Sequence, residues 1–444
     1  MKGENELADN EFDHRDSTGD VKNAYNALYA GFGGWMMDGF DFMIFSLALT
    51  MIIKAFHLSL GQAGLLATAS LFISAFGGLL AGTMADYWGR ARTLAANILL
   101  YAIFTGLTGL AFGYGQLFIY RALEGLGFGG TWAAGAALVS ETAPAEKRGR
   151  WIGWMQSSWA VGWGLALIVY LLLSASNPGP QSWRILFFVG TIPALFVFFV
   201  LKKVKEPPIW LETMKLKKEL RERKREGKMT EADKKDKEAL MLTFFQLWAP
   251  DLIGRTILGL VLSSGALLGY YAIFTFLPAF LEKVRHLTAV GSGVYLALVV
   301  VGSFAGYLTS GWLNDRLGRR INFLFFSIGS AVVIVLYSSV VHSNALLIPL
   351  SLPLGFFASG IFSGFGSYLA ELFPSRARGA AQGFIYNGGR AVASLGPALI
   401  GYLASSVGGL GNAIAIFGPL AYVLCVIAVL LLPETKGIQL KPLE

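Results

Sequence analysis

The sequence predicts an all-α membrane protein in which twelve transmembrane helices form two parallel six-helix repeats, with both termini in the cytoplasm. Three observations predict this fold class: an apolar composition, twelve long apolar runs, and motifs that recur at one offset. Of the 444 residues, 55% are hydrophobic and 14% are charged, whereas soluble proteins carry about 25% charged residues. The composition excludes a disordered protein and an ordinary soluble enzyme, and the single cysteine excludes a disulfide scaffold.

Twelve runs of mostly apolar residues reach the ~20 residues needed to cross the hydrocarbon layer of a membrane. They lie at about 26–53, 60–84, 93–112, 116–140, 150–174, 183–201, 254–281, 290–312, 321–341, 345–369, 380–404 and 412–432. The predicted domains are a polar cytoplasmic tail (1–24), a first six-helix bundle (25–201), a charged cytoplasmic linker (202–250), a second six-helix bundle (251–433) and a cytoplasmic tail (434–444).

The orientation of the runs follows from the distribution of Lys and Arg, which favour cytoplasmic loops. With the N-terminus in the cytoplasm, the inner loops and their edges hold 25 of these residues and the outer loops hold 4. The net charge of +8 therefore reflects membrane topology, and we expect no binding of nucleic acid.

The two halves of the chain share motifs at nearly the same offset, which indicates an internal repeat. The recurring motifs are G-x3-D-x2-G-R at Gly82 and Gly311 (offset 229), E-x2-P-x3-R-G at Glu141 and Glu371 (offset 230), and a glutamate after the sixth and twelfth runs at Glu206 and Glu434 (offset 228). Because six crossings return the chain to its starting side, the halves are predicted to be parallel and related by an axis along the membrane normal.

These motifs resemble those of the major facilitator superfamily, over residues ~25–437. The resemblance rests on Asp86-x-x-Gly89-Arg90-x-Arg92, Arg121-x3-Gly125-x-Gly127, Glu206-Pro207-Pro208 and Pro433-Glu434-Thr435-Lys436-Gly437. Within the superfamily, Asp38-Gly39-Phe40-Asp41 resembles the signature of aromatic-acid:proton symporters. Together with Tyr386-Asn387-x-Gly389 it also resembles the sialate and lactate:proton symporters. Both branches transport organic anions with protons.

Five charged residues fall inside predicted spans and have no counterpart in the other half: Asp38, Asp41, Arg121, Glu124 and Arg390. A charge at the bilayer centre costs at least ~2.5–3.5 kcal/mol, so its presence suggests a function. A rise of 1.5 Å per residue brings Asp41 level with Arg121 and Asp38 level with Glu124. Because two close carboxylates cannot both stay ionised cheaply, we predict that these four residues couple transport to protons. The alternative is a static ion-pair network that fixes the helix register.

Arg390 is predicted to lie at the midplane, and the spans of the second half offer no acid to pair with it. The fork of a guanidinium can hold both oxygens of a carboxylate, and Asn387 lies one turn away. We therefore predict that Arg390 and Asn387 bind the substrate, although Arg390 could instead reach Asp38 or Asp41. The weaker candidates for flanking a substrate are Gln156, Trp159, Tyr270, Tyr271 and Tyr386.

The repeated charges of the inner loops are candidates for a conformational latch. They are Asp86, Arg90, Arg92 and Glu141 in the first half, and Asp315, Arg319, Arg320 and Glu371 in the second. In the resembled superfamily such loops latch the halves in the outward-open state. The alternative is that they serve only topology and lipid anchoring.

No motif in the sequence indicates an enzyme. The four histidines and Cys425 have neither metal-ligand spacing nor a catalytic arrangement, so we expect no metal and no cofactor, with protons as the coupling ion.

The preferred interpretation is a monomeric, multi-pass protein of a bacterial-type cytoplasmic membrane that imports a small organic anion by proton symport. Lactate, pyruvate, sialic acid and aromatic acids all fit. An exporter or proton antiporter, an exchanger, a uniporter and a transport-dead receptor are the alternatives. Antiporters of the superfamily typically carry a proline in span 5, organic-phosphate exchangers carry an arginine in span 1, and a receptor would carry a signalling domain. None of these is present in the sequence.

Overall fold

The computed structural model describes residues 3–143, 148–176, 179, 181–226, 247–373 and 375–436, and the regular elements in these ranges are all helices. The first half contains α1 (Gly3–Phe56), α2 (Leu60–Trp88), α3 (Arg90–Gly109), α4 (Tyr114–Thr142), α5 (Arg148–Ala175), α6 (Ser182–Val189) and α7 (Pro193–Lys203). A further helix, α8 (Pro208–Arg225), lies in the predicted linker, whose residues 227–246 are outside the described ranges.

The second half repeats this order with more interruptions. It contains α9 (Ile253–Phe274), α10 (Leu277–Lys283), α11 (Gly293–Leu317), α12 (Arg319–Val335), α13 (Asn344–Gly360), α14 (Phe365–Leu372), α15 (Ser375–Ala393), α16 (Leu395–Leu403) and α17 (Leu410–Leu431). A π-helical turn (Leu336–Val340) extends α12, and a 3₁₀ turn (Ile361–Gly364) joins α13 to α14.

Ten helical stretches of the described residues are long and apolar enough to cross a membrane. The predicted fourth and eleventh spans are helical but do not belong to this set. The fourth span, α4, carries Arg121 and Glu124, and the eleventh is divided into α15 and α16 and carries Asn387 and Arg390. Polar side chains thus lower the hydropathy of these two spans, which hold three of the five charged residues of the candidate site. Twelve crossings and the orientation of the termini remain predictions.

The break between α9 and α10 is filled by the other half. Pro278 has no backbone N–H, so it cannot bond the carbonyl of Phe274 four residues earlier. The single hydroxyl hydrogen of Ser46 of α1 is shared between that carbonyl, at 2.8 Å, and the carbonyl of Thr275, at 3.1 Å. Hydrogen bonding at the helix interruption therefore holds α1 against the seventh span.

Small residues bring α2 and α4 into close contact. A Cβ atom added at Gly129 would overlap the carbonyl oxygen of Ser74, and one at Gly125 would overlap that of Ser70. Small residues commonly allow such backbone approach between membrane helices. Here the approach carries the Ser70 side chain to Glu124, so packing positions part of the candidate site.

The two halves meet on the side away from the predicted cytoplasmic loops, which we call the outer side. Thr68 of α2 donates a hydrogen bond of 2.6 Å to the carbonyl of Ser394, between α15 and α16. Tyr170 of α5 donates one of 2.6 Å to Glu282 of α10. The candidate substrate cavity lies between the halves, on the inner side of these contacts.

Candidate functional site

Three buried charges of the first half lie together, which we call the carboxylate cluster: Asp41 of α1 with Arg121 and Glu124 of α4. The NH1 nitrogen of Arg121 lies 3.8 Å from Oδ2 of Asp41 and 3.4 Å from Oε2 of Glu124. Thr105 donates a hydrogen bond to Asp41, and Ser70 donates one of 2.6 Å to Glu124. Asp41 thus faces Arg121, as the depth estimate predicted, and both carboxylates share one guanidinium.

The carboxylate cluster carries an excess negative charge when both acids are ionised. One guanidinium then faces two carboxylates, and all three side chains are at most 1% exposed. Buried charges of the same sign are costly, and one proton removes the excess. The Nε and NH1 atoms of Arg121 make no hydrogen bond to the described residues. The cluster is therefore chemically suited to take up and release a proton.

Asp38 lies one turn before Asp41 on α1 and is completely buried. Neither of its carboxylate oxygens has a hydrogen-bond partner within the described part of the chain. The charged group that acts most strongly on it is Arg390 of the other half, ahead of Asp41 and Glu124. The sequence predicted Asp38 to lie near Glu124, and Glu124 is among the charges that act on it. The carboxylate of Glu124 directly contacts Arg121, because residues three apart on α4 share a face.

Arg390 of α15 is only 1% exposed, yet much of its hydrogen-bonding capacity is unused. Its guanidinium carbon lies 5.1 Å from the ring centre of Phe128 and 5.3 Å from that of Tyr386. Aromatic faces stabilise a cation without occupying its N–H groups. The Nε and NH1 atoms have no hydrogen-bond partner among the described residues. Arg390 therefore keeps donors for a carboxylate.

A cavity lies between the halves, next to Arg390. Its lining consists of Trp35, Gln156, Trp159, Leu267, Tyr270, Tyr271, Tyr307, Phe362, Tyr386 and Arg390. Six of the seven predicted substrate-binding residues are in this set. The cavity is chiefly aromatic, with one cation and one amide among its lining residues, so it suits a small, flat anion.

Asn387 is the predicted substrate-binding residue that does not line the cavity. Its Nδ2 donates a hydrogen bond of 3.0 Å to the carbonyl of Gly383 on the same helix. Its amide also lies against Gly78 of α2, where an added Cβ would overlap it. Because α2 covers this face of α15, Asn387 serves the contact between the halves.

Four lining residues were missed by the sequence reasoning: Trp35, Leu267, Tyr307 and Phe362. Two of them left a signal. Trp35 lies three residues before Asp38 and so shares its face of α1. Leu267 is the repeat counterpart of Asp38, at the offset of 229. Tyr307 and Phe362 lie in apolar helical segments, and no charged neighbour or periodic pattern in the sequence distinguishes them.

Hydrogen bonds and ring contacts tie the wall of the cavity together. Trp159 donates a hydrogen bond of 2.7 Å to the hydroxyl of Tyr270 in the other half. Behind the wall, Trp132 of α4 donates one of 3.0 Å to Oε1 of Gln156. The ring of Trp132 also stacks on Tyr386, with centroids 4.3 Å apart and planes 18° apart.

The repeated charges of the first half form an ion pair within that half. The guanidinium of Arg90 binds Glu141 of α4 at 2.9 Å and the carbonyl of Ala85 at 2.8 Å. Arg92 contributes its backbone N–H to Glu206, at 3.3 Å. The side chain of Asp86 lies outside the described set.

The second half repeats this arrangement. Arg319 binds Glu371 of α14 at 2.7 Å. Asp315 lies 3.7 Å from Arg319, but its side chain is 80% exposed. The guanidinium of Arg320 donates hydrogen bonds to the carbonyls of Val429 and Leu430, at the end of α17. In this conformation the pairs hold each inner loop to its own bundle, and their role as a latch remains a prediction.

Two glutamates cap helices in a way that the sequence did not reveal. Glu206 accepts hydrogen bonds from the first backbone N–H groups of α3, beginning with Arg90 at 2.6 Å. Glu434 does the same for Arg319 and Arg320 of α12, at 2.9 and 3.0 Å. Partial burial raises the pKa of Glu434, but hydrogen bonds from four backbone N–H groups outweigh this, so its pKa lies below the ordinary value. The repeated glutamates after the sixth and twelfth spans were the available signal.

Comparisons with known proteins agree with this architecture. The family model described as "Sugar (and other) transporter" matches residues 26–444. The chain is 36% identical to a probable 4-methylmuconolactone transporter of Cupriavidus pinatubonensis, over 93% of this chain and 91% of that protein. It is 31% identical to the cis,cis-muconate transport protein of Acinetobacter baylyi, over 92% of this chain and 94% of that protein.

Among solved structures, a D-xylose-proton symporter aligns with a TM-score of 0.71 and 21% identity, over 94% of this chain and 100% of the other. At this identity the likeness shows the fold. Together, the fold, the family match and the 36% identical relative show that the chain is a multi-pass membrane transporter that belongs to the sugar (and other) transporter family of the major facilitator superfamily.

Proposed function

We propose that the protein imports a small organic anion together with protons, by alternating access across a bacterial-type cytoplasmic membrane. The observation that carries this proposal is the placement of Arg390. Its guanidinium is buried, keeps unpaired N–H groups, lines the cavity between the halves, and is the strongest electrostatic neighbour of the unpartnered carboxyl of Asp38.

The charges of Arg390 and Asp38 couple anion and proton binding. In the empty cavity, ionised Asp38 balances the charge of Arg390. When a substrate carboxylate binds Arg390, it supplies that balance, and the negative charge of Asp38 becomes unfavourable in its buried position. Asp38 then takes a proton. Because each binding event favours the other, anion and proton occupy the cavity together.

The carboxylate cluster extends the proton-coupling site away from the cavity. Asp41 lies one turn beyond Asp38, and its partner Arg121 also contacts Glu124. A change of charge at Asp38 alters the field at Asp41, one helical turn away. We propose that Asp41 and Glu124 relay protons and that Arg121 keeps the cluster from accumulating negative charge.

The names of several relatives support an organic acid as the substrate. Those of the muconolactone and muconate transporters, a niacin transporter of Acinetobacter baylyi at 27% identity, and a sialic acid transporter of Escherichia coli at 27% identity all describe organic acids or their derivatives. The aromatic lining suits the smaller and flatter members of this group. We propose a monomer as the working unit.

The ion pairs Arg90–Glu141 and Arg319–Glu371 stabilise the inner ends of the two bundles. Since each pair lies within one half, the halves can rotate as rigid bodies. We propose that the repeated inner charges then meet across the halves when the outer side opens, which makes them a conformational latch.

Uptake into proteoliposomes tests this proposal. Purified protein is reconstituted, an acidic-outside gradient is imposed, and labelled lactate, sialic acid, benzoate and nicotinate are supplied in turn. We expect at least one of these acids to accumulate, and collapse of the gradient by a protonophore to abolish accumulation. Uptake that requires an internal counter-substrate and ignores the pH gradient would favour an exchanger. Absence of any pH-driven uptake of organic acids would refute the proposal.

A further inference from the structure

Trp132 lies behind the cavity wall and contacts cavity-lining residues of both halves. Its indole N–H donates a hydrogen bond of 3.0 Å to Oε1 of Gln156, in the first half. Its ring stacks on Tyr386, in the second half, at 4.3 Å. Trp132 itself is not part of the lining. It therefore acts on a ligand through its lining neighbours, which also include Trp35, with ring centres 6.5 Å apart.

The hydrogen bond from Trp132 decides which end of the Gln156 amide faces the cavity. An indole N–H can only donate, so it must face the amide oxygen. The amide NH₂ group then points elsewhere. Within the described chain this nitrogen has no hydrogen-bond partner, and it is not enclosed by the protein. Because Gln156 lines the cavity, its NH₂ group is available to a ligand.

The position of the Trp132 ring is fixed in turn by the second half. The interplanar angle with Tyr386 is only 18°, and the ring of that tyrosine also contacts Phe365, at 5.9 Å between centroids, and the guanidinium of Arg390, at 5.3 Å from its ring centre. The chain Gln156–Trp132–Tyr386–Arg390 thus connects the amide of Gln156 to the guanidinium of Arg390 through packed rings.

We propose that Trp132 is a positioning residue that holds the amide of Gln156 as a hydrogen-bond donor toward the substrate. The inference rests on the proposed function, with the substrate carboxylate at Arg390. The guanidinium of Arg390 and the amide of Gln156 then both donate hydrogen bonds to the ligand, and the wall between them is aromatic. The selected acid is accordingly flat and carries a second acceptor, such as a ring nitrogen, a carbonyl or another carboxylate, away from the carboxylate that Arg390 binds. An acid without this acceptor leaves the amide unpaired.

Benzoate, nicotinate and isonicotinate provide a test, since they share size and carboxylate and differ by a ring nitrogen in place of one C–H group. Their KM and Vmax are measured by pH-driven uptake in proteoliposomes near neutral pH. For the wild type we expect the better pyridine acid to have a KM about fivefold below that of benzoate, the worth of one hydrogen bond.

Trp132→Phe keeps a ring to stack on Tyr386 but removes the N–H group. We expect it to raise the KM of the better pyridine acid to that of benzoate, while the KM of benzoate and both Vmax values stay unchanged. A general structural defect would alter all four constants. Trp163→Phe is the matched control, since Trp163 is buried against Phe274 away from the lining, and it should preserve the discrimination.

Gln156→Leu removes the donor itself and should abolish the preference for the pyridine acid over benzoate, whatever its effect on the uptake of benzoate, so it tests the inference if Trp132→Phe is not inserted into the membrane. The inference is overturned if the wild type takes up benzoate and both pyridine acids with equal KM, or if the variant keeps the discrimination. A wild type that takes up no acid under the gradient would refute the proposed function as well, which is a distinguishable result.

Discussion

Asp38 and Arg390 show how much depends on single side chains in an apolar environment. The hydroxyl of Thr131, which also faces Asp38, donates its hydrogen bond to the carbonyl of Gly127. No described side chain forms a hydrogen bond to the Asp38 carboxylate. A buried ionised carboxylate without such bonds is costly, so its charge depends on Arg390. In the proposed mechanism, that dependence makes Asp38 respond to a bound anion.

Substitution of Arg390 separates its charge from its geometry. Arg390→Lys keeps a cation but loses the fork that matches a carboxylate, and we expect the KM for the transported acid to rise about tenfold. Arg390→Ala removes both features, and we expect a rise of about 100-fold. Competition binding on purified protein measures this loss independently of transport. Arg316→Ala, which changes an arginine that stacks on Trp312 at the end of α11, is the control. Unchanged affinity in Arg390→Ala would exclude Arg390 from the substrate site.

At the scale of helices, the sequence predicted most of the features that depend on hydrophobicity. Long apolar runs located the spans, and repeated motifs located the inner ion pairs. Helix interruptions were not predicted, because a break such as that at Pro278 is stabilised by Ser46, which is distant in the sequence. The cavity was predicted where residues carry charge or polarity, such as Arg390 and Gln156. Aromatic residues such as Phe362 were missed, since the same pattern occurs in ordinary helix packing.

The close approach of α2 and α4 gives a prediction about stability. Gly129→Ala would force these helices apart, because the added methyl overlaps the backbone of Ser74, and we expect a loss of about 1–3 kcal/mol. Thermal unfolding in detergent measures the effect. Gly115→Ala on the same helix has no atom within 4 Å of the added Cβ and serves as the control. Equal melting temperatures for the two variants would contradict this packing.

The cap on α12 gives a prediction with a defined pH dependence. Because hydrogen bonds lower the pKa of Glu434 in the folded protein, its stabilisation is present above the pKa of an unfolded glutamate. It is lost as pH falls through the lower folded value. Glu434→Gln should cost about 1 kcal/mol at neutral pH, and the difference from the wild type should vanish in strong acid. Thermal unfolding against pH measures this, and a difference that grows on acidification would contradict it.

The whole molecule has its halves joined on the outer side and braced separately on the inner side. Contacts such as Thr68 to Ser394 and Tyr170 to Glu282 hold the outer ends together. The inner ion pairs each lie within one half. Rigid-body rotation can therefore open one side at a time around the cavity. Under the proposed function, the proton and the anion bind where the halves meet, so their occupancy would control the rotation.

Proton coupling at Asp38 is tested most directly by Asp38→Asn in proteoliposomes, with the acid that the wild type accumulates best. The amide imitates the protonated carboxyl and cannot release a proton. We expect the variant to exchange labelled for unlabelled acid at equal pH on both sides, and to lose accumulation driven by an acidic-outside gradient. An Asp38→Asn protein that still concentrates the acid under a pH gradient alone would contradict proton coupling at this residue.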